Sequence, residues 1–203
     1  MNIQLLLRVI GFGLNILSWI APKRAATLAL HLFTNPPKPR IRSKEQDFLN
    51  KSKKIEMRDT IQYCWGDDDS KPYILLAYGW GYNAGRWRHF VPSLVEAGYR
   101  VIAFDPPGHG HAPKGQLTLP ANAEIVQNII REYGKPAAII GHSFGGSAAI
   151  LAMHRLPPSL HANRIVAMAS FADAEGVFRD FQHRLGMREG LYQDYVRLTE
   201  SKV

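Results

Sequence analysis

The body of the chain alternates short apolar runs with segments of helical periodicity. Tyr73-Ile74-Leu75-Leu76-Ala77-Tyr78, Arg100-Val101-Ile102-Ala103-Phe104, Ala137-Ala138-Ile139-Ile140 and residues 164–169 have no polar alternation. Such runs predict strands buried on both faces. Residues 86–97, 121–133 and 145–156 read as helices, stopped by Gly98, Gly134 and Pro157-Pro158. Residues 53–58 and 60–66 read as two short strands around Asp59, and Asp67-Asp68-Asp69-Ser70 as a turn. Residues 171–203 are charged and helix-like. Strand–helix alternation predicts an α/β fold with a mostly parallel sheet covered by helices on both faces. In such sheets ligands sit at the carboxyl ends of the strands. The loops after Tyr78, Phe104, Ile140 and Ala169 are therefore where chemistry is expected.

The amino-terminal pattern is different. Residues 3–20 place their weaker hydrophobic positions, Gln4, Arg8, Gly11, Asn15 and Ser18, on one thin stripe of a helix. The rest of the surface is strongly apolar. Eighteen residues span roughly 27 Å, close to a bilayer's hydrocarbon thickness. Lys23 and Arg24 follow, then a short helical pattern over 25–33, then Pro36-Pro37-Lys38-Pro39-Arg40 and the basic residues Arg42, Lys44, Lys51, Lys53 and Lys54. One reading is attachment to a membrane surface through 3–20 and the basic segment 38–58, with the body on the cytoplasmic side. The others are a helix packed on the body or on a second subunit, and a signal peptide, for which Pro-Lys-Arg is a poor cleavage site. The expected domains are an apolar helical segment (1–34), a basic Pro-containing linker (35–52), an α/β core (53–170) and the start of a helical cap (171–203). In that last segment, Phe171, Phe178, Phe181, Leu185, Met187 and Leu191 read as pocket lining or as the core side of an amphipathic helix.

Charge then narrows the function. The chain carries +8 overall, but residues 1–58 hold eleven Lys/Arg against three Asp/Glu, which accounts for all of it. A neutral body argues against nucleic acid as a partner. One cysteine, Cys64, excludes an internal disulfide framework and a cysteine zinc cluster.

Candidate chemistry lies at Gly141-His142-Ser143-Phe144-Gly145-Gly146, between a buried strand and a small-residue helix. A strand turning sharply into a helix crowds the positions two before and two after the apex, and Gly141 and Gly145 relieve that crowding. The apex, Ser143, is left strained and exposed above the sheet. The plain alternative is a serine in a chance glycine-rich turn. Acyl transfer also needs two N–H donors for the developing oxyanion. Phe144 supplies one from its backbone, and Trp80, in Tyr78-Gly79-Trp80-Gly81, is expected to supply the other.

Taken together, the Gly79-Trp80-Gly81 turn, the loop Asp105-Pro106-Pro107-Gly108-His109-Gly110 and the bend around Ser143 resemble the α/β-hydrolase family over about residues 53–175. The resemblance implies hydrolysis of esters or related acyl substrates by a serine, with no cofactor. It also implies that Asp105, His109 and His111 are scaffold. Many members carry His where this chain has Tyr78. The family order is Ser, then Asp or Glu, then His, the last two on loops after the seventh and eighth strands. Only sixty residues follow Ser143, and no seventh or eighth strand is visible. The sequence thus reads as about the first two-thirds of such an enzyme, ending near the sixth strand. Within it, Asp173 (or Glu175 beside it) is the candidate acid and His183 the candidate base. His142 is expected to point away from the site, and His154 and His161 lie at the far end of the following helix. The competing reading is a catalytically inactive binding module of the same fold.

Overall fold

A computed structural model of the chain describes residues 3–35, 40–66 and 68–200. The helices are α1 (Ile3–Ile20), α2 (Pro22–Thr34), α3 (Ser43–Leu49), α4 (Val91–Glu96), α5 (Leu119–Tyr133), α6 (Phe144–Arg155), α7 (Glu175–Leu185) and α8 (Glu189–Glu200). The strands are β1 (Lys53–Glu56), β2 (Ile61–Trp65), β3 (Tyr73–Ala77), β4 (Arg100–Asp105), β5 (Ala138–His142) and β6 (Ile165–Met168). They fall into two compact units, one within 36–170 and one joining 1–35 to 171–203.

In the larger unit the strand order is β1-β2-β4-β3-β5-β6. β3, β4, β5 and β6 are parallel, while β2 runs antiparallel to both β1 and β4. Side chains alternate across the sheet. Tyr73, Leu75 and Ala77 pack with Ile102 and Ile139 against Val126 and Ile130 of α5 and Ala148 and Ala152 of α6. Ile74, Leu76, Val101 and Ala103 meet Leu49 of α3, Trp87 and Val91 on the other face. Leu75 and Leu76 are fully buried, each contributing about 2 kcal/mol from transfer alone. The central strands read as unbroken apolar runs because both of their faces are covered.

Three expectations change. The helix expected over 86–97 is a 3-10 turn, Ala84–His89, followed by α4. Pro92 has no N–H to donate to the preceding turn, so it opens a new helix instead. The second change lies in the expected linker. Residues 36–39 lie outside the described residues, but 43–49 form α3, whose first turn is held by Glu45 accepting the Arg42 N–H at 3.0 Å. Finally, β6 is not buried on both faces. It is an edge strand, with Ile165 38% and Val166 46% exposed.

In the smaller unit α1, α2, α7 and α8 share one core, in which Leu14, Ala25, Ala29 and Leu30 meet Leu185, Leu191 and Tyr195. Phe33 packs edge-on against Phe178, Phe181 and Tyr195. The apolar residues of 178–191 are thus the core side of amphipathic helices.

Candidate active site

Ser143 is the single residue between β5 and α6, with φ +50° and ψ −123°. A side chain takes that conformation only under constraint. The constraint is visible on both sides. Its N–H donates to Met168 O on β6 at 2.8 Å, and its carbonyl accepts from Gly146 and Ser147 at 3.0 and 3.2 Å to begin α6. A methyl group on Gly141 would lie 2.7 Å from Gly146 N, and one on Gly145 would lie 2.5 Å from Tyr78 O. Neither position has room for any other residue. The serine itself is half-buried, at the amino end of a helix whose dipole favours negative charge.

The loop after β3 lies directly against this bend, since a Gly79 Cβ would fall 3.1 Å from Ser143 Cβ. Gly81 takes φ +74°, and its N–H donates to His109 Nε2 at 3.0 Å. His109 Nδ1 lies 2.9 Å from Pro107 O. The pair of contacts assigns a neutral ring protonated at Nδ1. The Trp80 indole stands edge-on to Phe144 (5.3 Å) and to His109 (5.4 Å). The two residues expected to supply oxyanion donors are therefore neighbours.

Asp105 is the anchor below. Fully buried, it accepts from the Tyr78 hydroxyl (2.8 Å) and Ala84 N–H (2.8 Å) at Oδ1, and from the Tyr63 hydroxyl (2.9 Å) and His111 N–H (2.9 Å) at Oδ2. Four donors match a carboxylate's capacity. Burial, followed by the Asp105 charge, pushes both phenols well above the ordinary tyrosine range. Tyr78 thus ties the serine-side loop to the scaffold. Asp105, His109 and His111 are all engaged in holding loops.

Beside the bend is a cavity of about 410 Å³ lined by Tyr78, Tyr82, Arg86, Trp87, Phe90, His142 and Met168. Arg86 is its cation, 4.6 Å over the Tyr82 ring and 3.1 Å from the buried Glu45 carboxylate. The His142 ring, expected to point away, lines this cavity. The turn rotates position 142 toward the Gly79 loop, where Nδ1 lies 3.0 Å from a Gly79 Cβ position. Tyr63, Tyr82 and Arg86 were not picked out by the sequence. Tyr63 becomes meaningful only through a hydrogen bond to a residue 42 positions away.

The acid and base candidates are not brought together. Asp173 accepts the Gly176 N–H at 3.2 Å just before α7. His183 stands on an exposed position near the other end of that helix, about 12 Å further along its axis. Helical neighbours meet at three or four residues, not ten. Among the histidines of the larger unit, none hydrogen-bonds the Ser143 hydroxyl. His161, for example, is turned to Leu156 O at 2.9 Å.

Comparison with known proteins decides the family. The model of the Alpha/beta hydrolase family matches residues 74–199. The chain belongs to this family. It is 34% identical over 115 residues to a pimeloyl-[acyl-carrier protein] methyl ester esterase of Vibrio atlanticus (strain LGP32), covering 56% of this chain and 42% of that one. To epoxide hydrolase A of Mycobacterium tuberculosis (strain ATCC 25618 / H37Rv) it is 31% identical over 107 residues, covering 50% and 31%. The chain spans less than half the length of these relatives. A solved alpha/beta hydrolase from a Medee basin deep-sea metagenome library superposes with TM-score 0.53 at 18% identity, over 63% of this chain and 48% of that one, a likeness of fold. The alpha/beta hydrolase fold and a hydrolase ancestry are thereby shown.

Proposed function

We propose that Ser143 is the nucleophile of a serine ester hydrolase. The observation that carries this reading is a serine at φ +50° on a bend where neighbouring backbone excludes every side chain from positions 141 and 145. Strain of this kind persists where the surroundings hold it, and here it presents a hydroxyl at a helix amino terminus beside a cavity.

In the proposed chemistry, Ser143 Oγ attacks a carbonyl carbon as its proton passes to a base. The carbonyl oxygen gains charge beside the Phe144 and Trp80 backbone N–H groups. Collapse expels the alcohol, which takes that proton from the base; water then attacks the acyl–serine ester, giving the acid and returning a proton to Ser143 Oγ. The relatives include both esterases and epoxide hydrolases, and for a serine nucleophile elementary chemistry favours the ester. Serine opening an epoxide would form an ether, which water does not cleave under these conditions. Serine attacking an ester forms another ester, which turns over. The apolar cavity suits an acyl or alkyl segment, and the mechanism requires no cofactor.

The test is labelling of the full chain by a fluorophosphonate. Wild type is expected to be labelled and Ser143→Ala is not.

A second reading is a binding module of the same fold without turnover. It is favoured by His109 and His161, whose rings are turned to Pro107 O and Leu156 O at 2.9 Å each. A folded chain that takes no label supports this second reading and removes the first.

A further inference from the structure

Helix α1 is apolar on both its sides, unlike an ordinary surface helix. Its inner side buries Leu14, and Leu7, Ile10 and Leu17 in part, together with Gly11 and Ser18, Gly11 lying against the Leu185 backbone, while Gln4 and Arg8 are exposed. Asn15 Nδ2 donates to Gly186 O at 2.8 Å, and Asn15 Oδ1 accepts the Arg188 N–H at 2.9 Å. Arg188 Nε donates to Ser18 Oγ at 2.7 Å. The outward side is apolar as well. Leu5, Val9, Phe12, Ile16 and Trp19 repeat at spacings of four and three, and all are at least half exposed, with Phe12 67% and Trp19 75%. A contiguous apolar stripe of this kind marks a surface that meets something other than water.

Charge says what it meets. Lys23 and Arg24 stand exposed one turn beyond the stripe, and the first acidic residue in the chain is Glu45. Trp19, with the Arg188 guanidinium 4.2 Å over its ring, sits at the end of the stripe next to these cations. Apolar anchors bordered by an aromatic ring and exposed cations complement an anionic lipid surface. A second copy laid on the same face would bring its own Lys23 and Arg24 against them.

We propose that α1 docks flat on an anionic bilayer, its outer stripe in the headgroup–acyl boundary and its inner side held by α2, α7 and the turn at 186–188. It does not cross the membrane. Crossing would carry the Asn15 and Ser18 contacts, and the Arg188 cation that binds Ser18, into hydrocarbon or break them.

The full chain is tested by co-sedimentation with phosphatidylcholine vesicles with and without about one-third phosphatidylglycerol. Binding is expected only with the anionic lipid, weakened at least tenfold by Phe12→Ser/Ile16→Ser and about tenfold by Lys23→Glu/Arg24→Glu. Both pairs are exposed, and circular dichroism checks that each variant is folded. Trp19 fluorescence is expected to be quenched more by lipids brominated near the headgroup than by lipids brominated near the chain ends. Failure to bind anionic vesicles overturns the proposal. So does binding unchanged by Phe12→Ser/Ile16→Ser, or a soluble dimer that this variant abolishes. Stronger quenching from the chain ends overturns the flat geometry.

Discussion

Gly79 and Ser143 are in such close register that a single methyl group on the glycine would stand 3.1 Å from the serine Cβ and 3.0 Å from His142 Nδ1. The loop that would help to hold an oxyanion therefore has no slack against the residue that would form it.

Gly79→Ala is expected to fold, because the required shift is a few tenths of an ångström. That displacement moves the Trp80 backbone relative to the serine. Fluorophosphonate labelling should slow by about tenfold, in line with the loss on misplacing one oxyanion donor. An unchanged rate would detach this loop from the reaction.

Asp105→Asn replaces one acceptor oxygen by an NH₂ facing two donors. Whichever way the amide turns, it opposes either the Tyr78 and Ala84 donors or the Tyr63 and His111 donors. The expected cost is about 3 kcal/mol, read as a lower urea midpoint, with slower Ser143 labelling because Tyr78 precedes Gly79.

Glu45 gives the pH dependence a sign. Burial alone would raise its carboxyl pKa, but the Arg42 N–H, the Asn83 amide and the Arg86 and Arg42 guanidinium groups together bring it below the usual 4.5. A group with a depressed folded-state pKa stabilises the fold above its unfolded value and loses that contribution as pH falls through the folded value. Urea midpoints should therefore drop below about pH 4.5. Glu45→Gln should cost about 2 kcal/mol at pH 7 and flatten that acid limb. Parallel wild-type and variant profiles down to pH 3 would show that Glu45 has no part in it.

What could be read in the sequence follows from what each residue's neighbours demand. β3, β4 and β5 were legible because burial on two faces leaves no polar letters. The bend at Ser143 was legible because close backbone approach excludes side chains at 141 and 145, leaving glycine in fixed places. α3 was hidden by its shortness and charge, as its stability comes from Leu49 in the core and Glu45 on Arg42, not from periodicity. The direction of α1 was equally hidden. The stripe Gln4, Arg8, Gly11, Asn15, Ser18 is legible, but only the α7–α8 turn shows that Gly11, Asn15 and Ser18 face protein while Gln4 and Arg8 stay exposed. His183 and Asp173 fitted the required residue types and order. Asp173 precedes the first turn of α7 and His183 stands in its last, and the length of that helix keeps them apart.

The hydrogen bond from Ser143 N–H to Met168 O has a mechanical consequence. The outermost strand is also the clasp on the strained peptide, so fraying of β6 would let the serine relax toward ordinary torsions and lose its poise. Amide exchange at Ser143 should then keep pace with exchange along 165–168. Whatever stiffens that margin of the sheet would tune reactivity without touching a reacting atom.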